Sequence, residues 1–112
     1  MKMVRALISP FELDAVRAAV VGAGCQGMTV LEAMKFGRHT LEQDVDRAAE
    51  CERELAPMYE VEVVVSDASV DEVVRAISGA GVIGMNEVGK ILVSSIDQAV
   101  RIRTGETGTD AL

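Results

Sequence analysis

The chain has 112 residues, of which 49% are hydrophobic and 26% charged, with a net charge of −7. That length suits one domain burying roughly two-thirds of its unfolded surface, and the composition excludes disorder and fibrous repeats. Aromatics are confined to Phe11, Phe36 and Tyr59, too few rings to stack bases, and the acidic balance repels a phosphate backbone, so no nucleic-acid partner is expected.

No apolar run approaches the roughly 20 residues that span a bilayer. Met1-Lys2-Met3-Val4-Arg5 leads straight into a strand pattern, without the apolar core of a signal peptide. Cys25 and Cys51 then read as reduced thiols, and the expected setting is the cytoplasm without direct membrane insertion.

The first strand is marked by Val4, Ala6 and Ile8 alternating with Arg5 and Leu7. Ser9 and Pro10 supply an N-cap and an N1 proline, and Leu13, Val16 and Val20 follow at helical spacing. Gly22-Ala23-Gly24 stops the helix, and Gly27 to Met34 reads as the returning strand.

From His39 to Leu55 the chain is acidic, with Glu42, Asp44, Asp46, Glu50, Glu52 and Glu54 against Arg47 and Arg53. Thr40 and Gln43 fit a capping box, and Leu41, Val45 and Ala48 make a thin apolar stripe. An excursion this long between two strands is unusual in a small domain and points to function. It is expected to be exposed and mobile, with weak helical tendency.

The pattern then repeats 57 positions on. Ser9/Ser66, Asp14/Asp71, Val16/Val73, Ala19/Ala76, Gly22/Gly79, Ala23/Ala80, Gly24/Gly81, Gly27/Gly84 and Met28/Met85 are identical pairs. Tyr59, Val61, Val63 and Val65 mark the strand, Val70, Val73, Val74 and Ile77 the helix, and Lys90 to Ile96 the return. Two βαβ copies predict an α+β, ferredoxin-like β-α-β-β-α-β sandwich, its antiparallel sheet covered by two helices on one face. The other face would carry Met3, Arg5, Leu7, Glu60, Glu62 and Val64. That mixture of charge and apolar surface suits a symmetric homo-oligomer.

Gly84 to Lys90 fits G-x-x-x-x-G-K, but Ile91 stands where a P-loop has its Ser or Thr, and the stretch joins helix to strand instead of strand to helix. A P-loop NTPase is rejected. An ordinary turn is the better reading from the motif alone, although two glycines and a lysine are able to line an anion site. Arg101-Ile102-Arg103, if extended, sets two guanidiniums on one side as forks for phosphate oxygens, the alternative being a solvated basic patch.

His39 amid Glu42, Asp44 and Asp46 is a thin metal set, and a solvated acidic loop is the better reading, so no metal residue is assigned. Cys51, flanked by glutamates, is a poor nucleophile, and Cys25 reads as packing. One histidine leaves little for acid–base work. No catalytic residue, and no enzyme, is expected.

These residues resemble the PII (nitrogen regulatory protein P-II) signal-transduction family. The similarity runs from Ser9-Pro10-Phe11 through Gly27-Met28-Thr29-Val30 and Phe36-Gly37-Arg38 to Arg101-Ile102-Arg103-Thr104-Gly105-Glu106. The resemblance implies one domain over 1–112, with a T-loop at about 37–55, a B-loop at about 82–90 and a C-terminal segment at about 98–112. It implies a homotrimer that binds an adenine nucleotide (ATP, ADP or AMP) between subunits. The T-loop would control a partner protein of nitrogen or carbon metabolism: a transporter, an enzyme or a regulator. Thr29 and Val64 would meet the adenine through the backbone, with Glu62 nearby. Gly37 and Arg38 would enter from the T-loop base, Gly89 and Lys90 would hold phosphates, and Arg101 and Arg103 would reach them from the neighbouring subunit.

The chain also departs from the family. Cys51 stands at the position of the uridylylated tyrosine, so that modification is not expected. His39 replaces a glutamine that helps hold Mg²⁺ and 2-oxoglutarate, Met58 a lysine that pairs with 2-oxoglutarate, and Lys35 a glycine. Glu87 and Val88 replace a B-loop glycine and aspartate. Together these changes put Mg-ATP and 2-oxoglutarate sensing in doubt. Glu87 pointing inward would repel each phosphate charge by on the order of 4 kcal/mol before screening, disfavouring ATP more than ADP or AMP. The alternative is a structural or divalent-metal-binding trimer of the same fold that senses no nucleotide.

Overall fold

In the computed structural model, which describes residues 1–36, 55–80 and 89–112, the opening period-2 pattern becomes β1 (Lys2–Ile8), with Val4, Ala6 and Ile8 buried. Then come α1 (Leu13–Gly22), β2 (Thr29–Lys35), β3 (Ala56–Val65), α2 (Val70–Ala80) and β4 (Lys90–Ser95). The sheet order is β2-β3-β1-β4, and every neighbouring pair is antiparallel. Each βαβ unit is therefore split by a strand of the other: β3 lies between β1 and β2, and β1 between β3 and β4. This interlock is the ferredoxin-like β-α-β-β-α-β sandwich expected from the repeat.

Both helices start later than their serine caps. A 3-10 turn, Pro10–Glu12, precedes α1, and another, Asp67–Ser69, precedes α2. The Glu12 N–H donates to the Ser9 carbonyl at 3.0 Å, while the Ser9 N–H donates to the Glu12 carboxylate at 2.9 Å. In the second copy the Ser69 N–H donates to the Ser66 carbonyl at 3.0 Å. These tight i→i+3 bonds occupy donors and acceptors that a bare helix start leaves open.

The end of α1 shows why the glycine after it matters. Gly24 has φ +86°, its N–H donates to the Val21 carbonyl at 3.0 Å, and the Cys25 N–H reaches back to the Val20 carbonyl at 3.2 Å. That paired closure is a Schellman motif, which needs a left-handed residue at C′. Cys25 and Met28 then pack against the core, so β2 begins at Thr29, two residues later than the sequence pattern suggests. Gly81, the counterpart of Gly24, lies outside the described residues, as do all of 37–54 and 81–88, including the acidic excursion.

The core forms between one sheet face and the two helices. Val16 and Val20 of α1 and Val73 and Ile77 of α2 are buried against Val4, Ala6 and Ile8 of β1 and Val61, Val63 and Val65 of β3. No helix covers the opposite face among the described residues. There Arg5, on a central strand, sits 2.9 Å from Glu60 and 2.7 Å from Glu62, an ion-paired centre amid the half-buried Met3, Leu7 and Val64.

Candidate functional site

The β2–β3 register sets Thr29 opposite Glu62, and strand periodicity places Val64 on the same face two residues along. All three line a cavity of about 510 Å³, together with Cys25 from the turn after α1 and Thr109 and Leu112 from the C-terminal segment. Three of the residues expected at an adenine thus share one concavity. Glu62 is held there by Arg5, whose Nε and Nη2 donate to the same oxygen, Oε1, at 3.0 and 2.7 Å. Burial pushes the Cys25 thiol up, and the charge of Glu72 adds to it, so the cavity wall carries a protonated thiol that is a weak nucleophile.

Gly89 and Lys90 lie elsewhere. Lys90 opens β4 opposite Leu7, and a Cβ on Gly89 would come 3.3 Å from the Leu7 carbonyl oxygen, so β4 starts in close backbone contact with β1. β4 and β2 are the two edges of the sheet. Three inter-strand steps of about 4.8 Å put Lys90 and Thr29 at least about 14 Å apart along the backbone. One chain does not bring them together.

The C-terminal arginines are not on an extended strand. Val100 bridges to Thr107, the Arg101 N–H donates to the Glu106 carbonyl at 2.8 Å, and the Gly105 N–H donates to the Arg101 carbonyl at 2.8 Å. The segment is a tight turn, because Thr104 and Gly105 reverse the chain before a strand forms. Arg103 is exposed on that turn. Arg101 Nη2 donates to the carbonyls of Leu112 at 3.0 Å and Ala111 at 3.4 Å. The Arg101 side chain therefore belongs with the Thr29 half of the site, because Leu112 lines that cavity.

Gly37 and Arg38, like His39, Cys51 and Glu87, lie outside the described residues. Met58 is 6% exposed, so the position where the resemblance implies a lysine is here an apolar, closed one. Sequence reading missed Thr109 and Leu112. Thr109 lies inside a 3-10 turn, Gly108–Ala111, and Leu112 caps its end; the turn is drawn from small polar residues with no periodicity to announce it. Among the described residues no group of three or more His, Cys, Asp or Glu is placed to hold a metal ion, and no helix is long and apolar enough to cross a membrane.

A family model described as nitrogen regulatory protein P-II matches residues 1–106. Over all 112 residues, and over the full length of each relative, the chain is 46% identical to nitrogen regulatory protein P-II of Rhodobacter capsulatus, 44% to that of Rhizobium meliloti (strain 1021) and 46% to that of Mesorhizobium japonicum. These matches span both βαβ units and the loops that join them. With the split four-stranded sheet and its two helices, they settle the assignment: the chain belongs to the nitrogen regulatory protein P-II family of non-enzymatic signalling proteins.

Proposed function

We propose that this regulator assembles as a cytoplasmic homotrimer and binds an adenine nucleotide in clefts between subunits. Occupancy of the clefts sets how the 37–55 T-loop engages a partner protein, a transporter, enzyme or regulator of nitrogen or carbon metabolism. Family membership supports nucleotide effectors and partner control. The observation that carries the intersubunit cleft is the separation of Thr29 and Lys90 on opposite sheet edges. A base at Thr29 and phosphates at Lys90 come together most simply where the β2 edge of one subunit meets the β4 edge of the next.

In this arrangement one subunit supplies Thr29, Glu62 and Val64 for the base, with Arg101 and Arg103 for phosphate. Its neighbour supplies Gly89 and Lys90, with Gly37 and Arg38 at the T-loop base. Guanidinium forks match phosphate oxygens two at a time, and Lys90 adds a point charge. Buried Met58 offers no cation to a dicarboxylate, which weighs against 2-oxoglutarate as a co-effector.

Calorimetric titration with ATP, ADP and AMP tests the proposal. The expected result is one nucleotide per subunit, with Lys90→Ala and Arg101→Ala each weakening it by about tenfold or more, in line with loss of a charge-assisted bond. Failure of ATP, ADP, AMP and a cyclic dinucleotide to bind at millimolar concentration overturns it.

A further inference from the structure

The C-terminal turn is folded back onto the site it would be expected to leave open. The Gly108 N–H donates to the Ala99 carbonyl at 3.0 Å, and the Leu112 N–H closes the turn on the Thr109 carbonyl at 3.2 Å. Leu112 is half-buried and lines the cavity with Cys25, Thr29, Glu62 and Val64. Its carbonyl and that of Ala111 accept from Arg101 Nη2 at 3.0 and 3.4 Å. A guanidinium has a fixed fork of donors, and one arm of this fork is spent on backbone carbonyls.

We propose that residues 108–112 are a latch that competes with the anionic ligand for this cavity. In the free protein Leu112 sits against the cavity wall and Arg101 is tied to the latch. Phosphate oxygens draw the guanidinium away, because they engage two of its nitrogens at once in a bidentate pair, whereas Ala111 and Leu112 occupy Nη2 alone. With Arg101 gone the latch loses its tether and Leu112 leaves the cavity. A latch seated nine-tenths of the time weakens ligand binding about tenfold, and so sets the concentration at which the protein responds. This inference rests on the nucleotide reading above.

The latch has two weak points for a test. Gly108 has φ +66°, a conformation that a β-branched residue avoids, so Gly108→Val lifts the latch at its root. Leu112→Ser removes the apolar contact at its tip, and Leu112→Met preserves that contact. All three are made with Cys51→Ser, so that Cys25 is the sole thiol. Without nucleotide, alkylation of Cys25 is expected to speed up several-fold in Gly108→Val and Leu112→Ser and to stay unchanged in Leu112→Met. By calorimetry, ADP is expected to bind up to about tenfold more tightly to the two opened variants. Unchanged thiol rates in both opened variants overturn the seated latch. Equal or weaker ADP binding, with the unsubstituted protein still binding, overturns the competition and leaves the nucleotide reading standing. No ADP binding by any of these proteins overturns the nucleotide reading, and the competition with it.

Discussion

Arg5 holds a single oxygen of Glu62 with two nitrogens, Nε at 3.0 Å and Nη2 at 2.7 Å, across the β1–β3 register that sets the two residues opposite each other. Glu60 brings a second carboxylate to 2.9 Å from the same Nε. Two carboxylates on one strand face repel, and the guanidinium between them offsets the repulsion. Arg5→Met keeps the stem and removes the charge. Because the Arg5 side chain is 42% exposed, water screens much of the effect, and the expected loss at neutral pH is about 1 kcal/mol. The loss shrinks at high salt, which screens the pairs. Urea denaturation at low and at high salt checks this, and an equal loss at both would assign the effect to packing.

Val16 and Val21 make a paired comparison on one helix. Val16 is fully buried between α1 and the sheet, while Val21 is 64% exposed. Val16→Ala leaves a cavity and is expected to cost about 2 kcal/mol. Val21→Ala removes a solvated side chain and improves helix propensity slightly, so its expected effect lies within about 0.5 kcal/mol of zero. Denaturation midpoints of the two variants decide it.

The end of α1 gives a backbone prediction. Nothing lies within 4 Å of a Cβ built on Gly24, so Gly24→Ala meets no steric obstacle and pays only for φ +86°. The expected loss is about 1–2 kcal/mol. Gly22→Ala, equally open in space but inside the helix, is expected to gain up to about 1 kcal/mol. Opposite signs for two glycines two residues apart are what thermal melts should read.

Cys25 carries a pH signature. Burial first, and then Glu72, push its thiol up, so it stays protonated where a free thiol has begun to ionise. In a Cys51→Ser background its alkylation is expected to be slower than that of a free thiol at pH 8 and still rising when the free thiol has levelled off. Glu72→Gln should move the midpoint down. Because the folded state holds this proton more tightly than the unfolded one, the contribution to stability is complete below the unfolded thiol's titration. It fades as pH rises through the folded one.

The repeat made the fold readable. Identical Ser, Val and Gly positions 57 residues apart fixed two strand–helix–strand units, and alternation along β1 and β3 named the buried valines. The Arg5–Glu60–Glu62 cluster also followed, since parity along a strand decides which face a side chain takes. The 3-10 turns before each helix were not legible, because one i→i+3 bond leaves no periodic mark. Nor was the turn at Arg101–Glu106, where a basic-apolar-basic triplet imitates a strand that the next two residues cancel. The fold-back of Leu112 depends on contacts with residues far away in sequence. The edge separation of Thr29 and Lys90 needed the strand order, which motifs do not carry.

The cleft between subunits is tested most directly by mixing two defective proteins. An Arg101→Ala subunit keeps its Gly89–Lys90 edge, and a Lys90→Ala subunit keeps its Thr29–Arg101 edge. Each homo-oligomer should bind ADP poorly. Refolded together from denaturant, the mixture should regain tight sites, because an intact Lys90 edge now meets an intact Arg101 edge at one of the clefts in each mixed trimer. Calorimetry that finds high-affinity sites in the mixture and in neither parent is the predicted result. A mixture that binds no better than its parents, although subunit exchange is shown by mass spectrometry, would place the site within one chain and contradict the account.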